Sequence, residues 1–132
     1  MSKDFLNDVG LLILRVALSG FMLTHGIPKF QRLFEEEIRF ADPLGIGTTP
    51  SLVLVVIGEL IAPILIIIGL RTRLVTLFPL VTMFVAAFII HGGDSFGKQE
   101  KALLYFVGYL AVLLCGPGKY ALDGISRSKF YG

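Results

Sequence analysis

The chain has 132 residues, 55% hydrophobic against 17% charged, with a mean hydropathy of +0.80. A water-soluble domain of that size carries more charge and breaks its apolar runs more often, so the apolar surface is expected to face lipid and one domain is expected. A formal net charge of +2 with no basic run gives nucleic acid no footprint, and the single cysteine, Cys115, leaves neither an internal disulfide framework nor a CxxC redox pair.

The expected architecture is all-α, an integral membrane four-helix bundle with spans at about 9–28, 51–70, 74–91 and 98–116. A crossing helix takes about 20 residues, so the third and fourth segments reach that length only with their polar ends included. Met1–Asp8 is polar, and no small-residue cleavage site follows the first segment, which is expected to be a retained span rather than a leader. Within Val9–Lys29, at about 100° per residue, Arg15, Leu18, Met22, His25 and Lys29 follow one stripe. Basic groups in a bilayer are costly, so this stripe should face protein or water and find partners.

Between the first two spans, QRLFEEEIRF mixes apolar and charged residues and is expected to form a short amphipathic surface helix, with Glu35, Glu36 and Glu37 on its solvated face. Thr48-Thr49-Pro50-Ser51 reads as a helix start with a hydroxyl cap and a proline in the first turn. The second span carries Glu59 and Pro63, and Pro79 in the third is a proline of the kind membrane helices tolerate. Gly20 and Thr24, Gly58 and Ala62, and Gly108 and Ala111 recur at helical spacing and suit close helix packing.

Four spans put both termini beside the Arg71-Thr72-Arg73 turn. That side holds Lys3, Arg71, Arg73, Lys119, Arg127 and Lys129, against Lys29, Arg32, Arg39, Lys98 and Lys101 opposite. The small excess, and a short turn with two arginines and no acid, predict cytoplasmic termini.

With that topology Arg15, His25, Lys29, Glu59, His91 and Glu100 are expected to line an outward-facing polar pocket, with Arg15 paired to Glu59. The plain alternative is a structural ion pair that fixes helix register. His25-Gly26-Ile27-Pro28-Lys29-Phe30 and His91-Gly92-Gly93-Asp94-Ser95-Phe96 both read H-G-x-x-x-F, which suggests a parallel two-helix repeat. HExxH, ExxH and CxxCH are absent, so there is no metal, haem or flavin motif, and Cys115 reads as a packing residue. A hydrogen-bonding pocket between apolar helices suits a quinone, whose carbonyls accept from His, Lys or Arg while a carboxylate exchanges protons. The same residues would equally suit a proton or solute path.

Leu11–Phe30 (LLILRVALSGFMLTHGIPKF), Gly58–Leu74 (GELIAPILIIIGLRTRL), Phe96–Leu110 (FGKQEKALLYFVGYL) and Gly116–Asp123 (GPGKYALD) together resemble the DoxX family of small four-helix bacterial membrane proteins, over about the whole chain. The resemblance implies a multi-pass protein of the bacterial inner membrane. The family takes its name from a subunit of a thiosulfate:quinone oxidoreductase, and members are described as oxidoreductases or linked to redox and quinone stress, sometimes with soluble partners. It supplies no agreed catalytic set. The site residues therefore rest on burial and topology, with His91 alone outside the matched stretches. The leading expectation is a membrane component of a quinone-linked oxidoreductase system, its pocket taking a quinone or small reductant. Its rivals are a non-catalytic anchor for a soluble partner, favoured by the lack of an electron-carrier motif, and a proton or solute conductor. Expected partners are the lipid bilayer and a soluble redox partner or a second copy.

Overall fold

The structure, a computed structural model, describes residues 2–125. Arg127 and Lys129, counted above on the inner side, lie outside the described residues. Among the described residues four long helices make up the fold: α1 (Lys3–Arg32), α2 (Thr48–Ile68), α3 (Thr72–Ile90) and α4 (Phe96–Cys115). No strand occurs among the described residues. α1, α2 and α3 are each long and apolar enough to cross a membrane, and α4 packs mainly along α3. The core between them holds Met22, Ile66, Leu80, Met83, Ala87 and Tyr109. Phe21, Val81, Leu104 and Val107 turn outward, each more than half exposed, and give the bundle the apolar coat of an integral membrane protein.

Ser2 caps α1 by accepting the Phe5 N–H at 3.1 Å. The helix then runs through Pro28 to Arg32, four residues beyond the expected end, so Lys29 stands on a helix rather than in a loop. The expected surface helix beyond it does not form: Leu33–Gly47 is turns and bends. Glu35, Glu36 and Glu37 repel one another just past the C-terminus of α1, where the helix dipole disfavours anions. Asp42 organises the connection instead. Its carboxylate accepts the N–H groups of Ile46 (2.9 Å) and Gly47 (3.0 Å) and the Ser51 hydroxyl (2.9 Å). Desolvation pushes the Asp42 carboxyl up, but these hydrogen bonds outweigh it and hold the group below the usual carboxylate range. The start of α2 also departs from expectation, because Gly47 (φ 109°) occupies the cap position and no hydroxyl caps the helix.

α2 is not a uniform α-helix. Pro63 has no N–H to offer the carbonyl of Glu59, four residues back, and the backbone takes up the defect as a π-turn over Ile57–Ile61, with the Ala62 N–H reaching Ile57. A second π-turn, Ala86–Ile90, ends α3, closed by the His91 N–H on Ala86 at 3.0 Å. Pro79 lies within continuous helix. The two H-G-x-x-x-F segments adopt different structures. The first lies wholly within α1, whereas the second leaves α3 through a turn, so the local repeat in sequence is not a repeat in conformation.

Candidate functional site: two polar nodes and a chamber

α1 delivers a cation to each end of the bundle. Arg15 is 2% exposed, and its guanidinium donates to four backbone carbonyls: Ile66 (2.8 Å), Ile67 (3.2 Å), Pro117 (2.5 Å) and Tyr120 (2.8 Å). The demand arises where α2 stops. Gly69 turns left-handed (φ 81°), and its N–H and that of Leu70 both return to Leu65. The Arg71 N–H goes to the Asp123 carboxylate, so Ile66 and Ile67 keep carbonyls without helical donors. A guanidinium, with five donors, suits that negative helix end.

Asp123 completes this node by accepting the N–H groups of Arg71 and Thr72, both at 2.8 Å, at the start of α3. Burial pushes its carboxyl up, but those bonds and the nearby Arg15 charge prevail and hold it below the usual range.

The expected Arg15–Glu59 pair is not formed. Arg15 sits at the level of the last carbonyls of α2, whereas Glu59 lies a full two turns earlier, level with the far end of α1. There Lys29 takes it, Nζ to Oε2 at 2.5 Å, with the lysine side chain 25% exposed and the glutamate 4%. Arg15 and Lys29 are about 21 Å apart along the helix.

Gly26 sets the geometry of this second node. A Cβ there would run into the backbone carbonyl of Glu59, so α1 and the π-turn of α2 meet backbone to backbone. That contact puts His25 and Lys29 beside Glu59. Around them opens a cavity of about 380 Å³, lined also by Met22 and Tyr105, by Met83 and Ala86 of α3, and by His91, Lys98 and Lys101 at its mouth. The His25 and Tyr105 rings meet edge to face, centroids 5.7 Å apart. Deeper in the bundle the Ser19 and Tyr109 hydroxyls share a 3.2 Å hydrogen bond. At the rim His91 Nδ1 lies 2.9 Å from Asp94, and that contact holds the Asp94 carboxyl below its ordinary value.

The cavity thus gathers His25, Lys29, Glu59 and His91. Arg15 is absent from its walls because it is consumed at the other end, and Glu100 is absent because it lies exposed on another face of α4. Sequence reasoning missed Lys98, Lys101 and Tyr105. Their three- and four-residue spacing, continued by Tyr109, marks one face of α4 and was the available signal. Three lysines against one glutamate make the lining cationic, with donors for an oxygen-rich ligand and one buried carboxylate able to exchange a proton. Among the described residues no three His, Cys, Asp or Glu side chains converge on a metal-sized site.

Fold and site together define an integral membrane four-helix bundle with an ion-paired chamber at one end. The DoxX family model matches residues 10–92, and the chain belongs to the DoxX family. It is 32% identical over 124 residues to a Bacillus subtilis protein named "Putative oxidoreductase CatD", covering 93% of this chain and 90% of that one. It is 26% identical over 129 residues to "Inner membrane protein YqjF" of Escherichia coli, covering 95% and 98%. A Haemophilus influenzae relative is 32% identical over 128 residues, covering 92% and 90%. No solved structure matches the chain.

Proposed function

We propose that the protein is the membrane component of a quinone-linked oxidoreductase system and that the chamber holds the quinone head. The observation that carries this reading is the Lys29–Glu59 pair, half-buried at the wall of a cavity rather than sealed into the core. The name of the Bacillus subtilis relative is in keeping with it. Lys98, Lys101 and His25 offer donors to the two quinone carbonyls. Reduction to the quinol takes two electrons and two protons. The electrons come from a small reductant or soluble partner at the chamber mouth, and Glu59, exchanging its proton with Lys29 and water at the rim, supplies protons to the quinol oxygens. All four helices cross the bacterial inner membrane with the Arg71–Arg73 turn and both termini cytoplasmic, so the chamber opens outward.

The test is titration of the purified protein with a soluble benzoquinone, followed by quinol-coupled turnover with its partner. Lys101→Ala should weaken binding about tenfold, as expected for one lost charge-assisted hydrogen bond. Glu59→Gln should lower turnover by roughly a hundredfold with the fold intact, the scale of a general acid–base contribution. Quinone that fails to bind, or turnover indifferent to Glu59→Gln, removes the reading.

A further inference from the structure

The chamber does not end at its polar walls. Lys29, Glu59, Met83 and Ala86 line it, and the same four residues line a second cavity of about 370 Å³ between α2, α3 and the 40–46 connection. This second cavity is apolar. Leu54 and Val55 come from α2, Leu77, Phe78 and Val81 from α3, and Phe40, Leu44 and Ile46 from the connection. Its two hydroxyls are already engaged, Ser51 donating to Asp42 and Thr82 to the Phe78 carbonyl, so the groove presents nothing that seeks a polar partner.

We propose that the two cavities are one site for an amphiphile. A compact anionic or hydrogen-bond-accepting head lies among the chamber lysines, and a linear apolar chain lies in the groove. The inference rests on the reading of the chamber as a head-group site, and it specifies a tailed, membrane-dissolved ligand over a water-soluble one.

Four features support that occupant. The cavities meet at the Lys29–Glu59 pair, so a single molecule passes from charged to apolar surroundings where its own polarity changes. The α2 lining runs from Ser51 to Glu59, about 12 Å at the helical rise, close to the reach of an extended decyl chain. The connection over the groove is held in place by Asp42, so the wall stands before any ligand arrives, unlike the open apolar coat elsewhere. Leu54, Val81 and Ile46 are each about half exposed, which gives a chain lateral entry from the bilayer.

The full chain in lipid nanodiscs would be titrated with a tail-less benzoquinone, a decyl benzoquinone of the same head, and decyl phosphate, each expressed per lipid. The decyl benzoquinone should bind about tenfold tighter per lipid than the tail-less one, because its chain packs against the preformed groove walls rather than in the open bilayer. Leu54→Trp with Val81→Trp should fill the groove and remove that advantage while the tail-less quinone binds as before. Ile46→Trp, from the opposite wall, should do the same and guards against a folding defect in the double variant. Equal affinity for the two quinones, or decyl binding indifferent to both groove variants, overturns the shared site and leaves the quinone reading standing. Groove-dependent binding of decyl phosphate with neither quinone bound keeps the amphiphile site and removes the quinone reading. Failure of all three probes overturns both.

Discussion

Arg15 and Lys29 stand on the same helix with the same formal charge, yet the bundle treats them in opposite ways. Arg15 makes four hydrogen bonds to backbone carbonyls at the Asp123 end. Lys29 makes one short contact, to Glu59, and both side chains border open volume. A buried charge whose capacity is saturated by backbone is a fastener; it answers a need created by helix ends and has nothing left for a ligand. A half-buried pair on a cavity wall still has donors and acceptors to offer. Burial alone therefore does not leave an ion free to meet a ligand in this protein, whereas unspent hydrogen-bonding capacity beside a void does.

The harshest way to break this contrast is Arg15→Met. It leaves four carbonyls without their donor, and should lower stability by about 3–5 kcal/mol, the scale seen when one partner of a buried charged cluster is removed. Arg15→Lys should rescue little, because an ammonium cannot reach four divergent acceptors as a planar guanidinium does. Thermal unfolding of detergent-solubilised protein checks both. A large drop in the midpoint is expected for Met, and a near-normal midpoint for Lys would show the node is a simple point charge.

Gly26→Ala attacks the open end at lower cost. The added methyl group runs into the Glu59 backbone carbonyl, so α1 and α2 must part by about an ångström, for about 1–3 kcal/mol. Unlike Arg15→Met, it should leave a folded bundle whose quinone affinity falls because Lys29 and Glu59 no longer meet. A variant with unchanged binding would mean the backbone contact does not set the chamber.

Much of this was legible in the sequence. Four apolar runs and their lengths give the bundle, because in lipid the backbone must satisfy itself and helices are the cheapest way to do so. His25, Lys29, Glu59 and His91 stood out as ionisable groups where apolar ones belong. Arg15 was misassigned because a sequence shows its depth and its need for a partner but not four carbonyls, which carry no residue-type signal. Glu100 does not line the chamber because depth along a helix does not give rotation about it; Lys98, Lys101 and Tyr105 border the chamber and Glu100 does not. The π-turn at Glu59 had one readable cue, Pro63 four residues on, which removes the donor to that carbonyl. The surface helix failed because amphipathic composition was weighed without the charge repulsion of Glu35, Glu36 and Glu37 at the end of α1.

The smallest expected effect lies at the Arg15–Asp123 node and separates its two parts. Asp123 caps α3 from a distant segment through the Arg71 and Thr72 N–H groups, and Arg71 holds a left-handed φ of 48° in that turn. Asp123→Asn retains one acceptor oxygen and the side-chain volume, so the cost should be about 1 kcal/mol at neutral pH, in the range of a helix cap. The sign of its pH dependence follows from the depressed carboxyl in the folded protein. A carboxylate held below its unfolded value contributes fully above that value, about 3.9, and loses the contribution as pH falls through the lower folded one. The stability gap between wild type and Asp123→Asn, read from unfolding midpoints, should be constant from neutral pH to about 5 and close as pH drops below about 4. The four Arg15 bonds do not titrate in that range, so Arg15→Met should remain destabilised throughout. A gap for Asp123→Asn that persists at low pH would assign the capping to geometry rather than charge, and would make both parts of this node pH-independent fasteners.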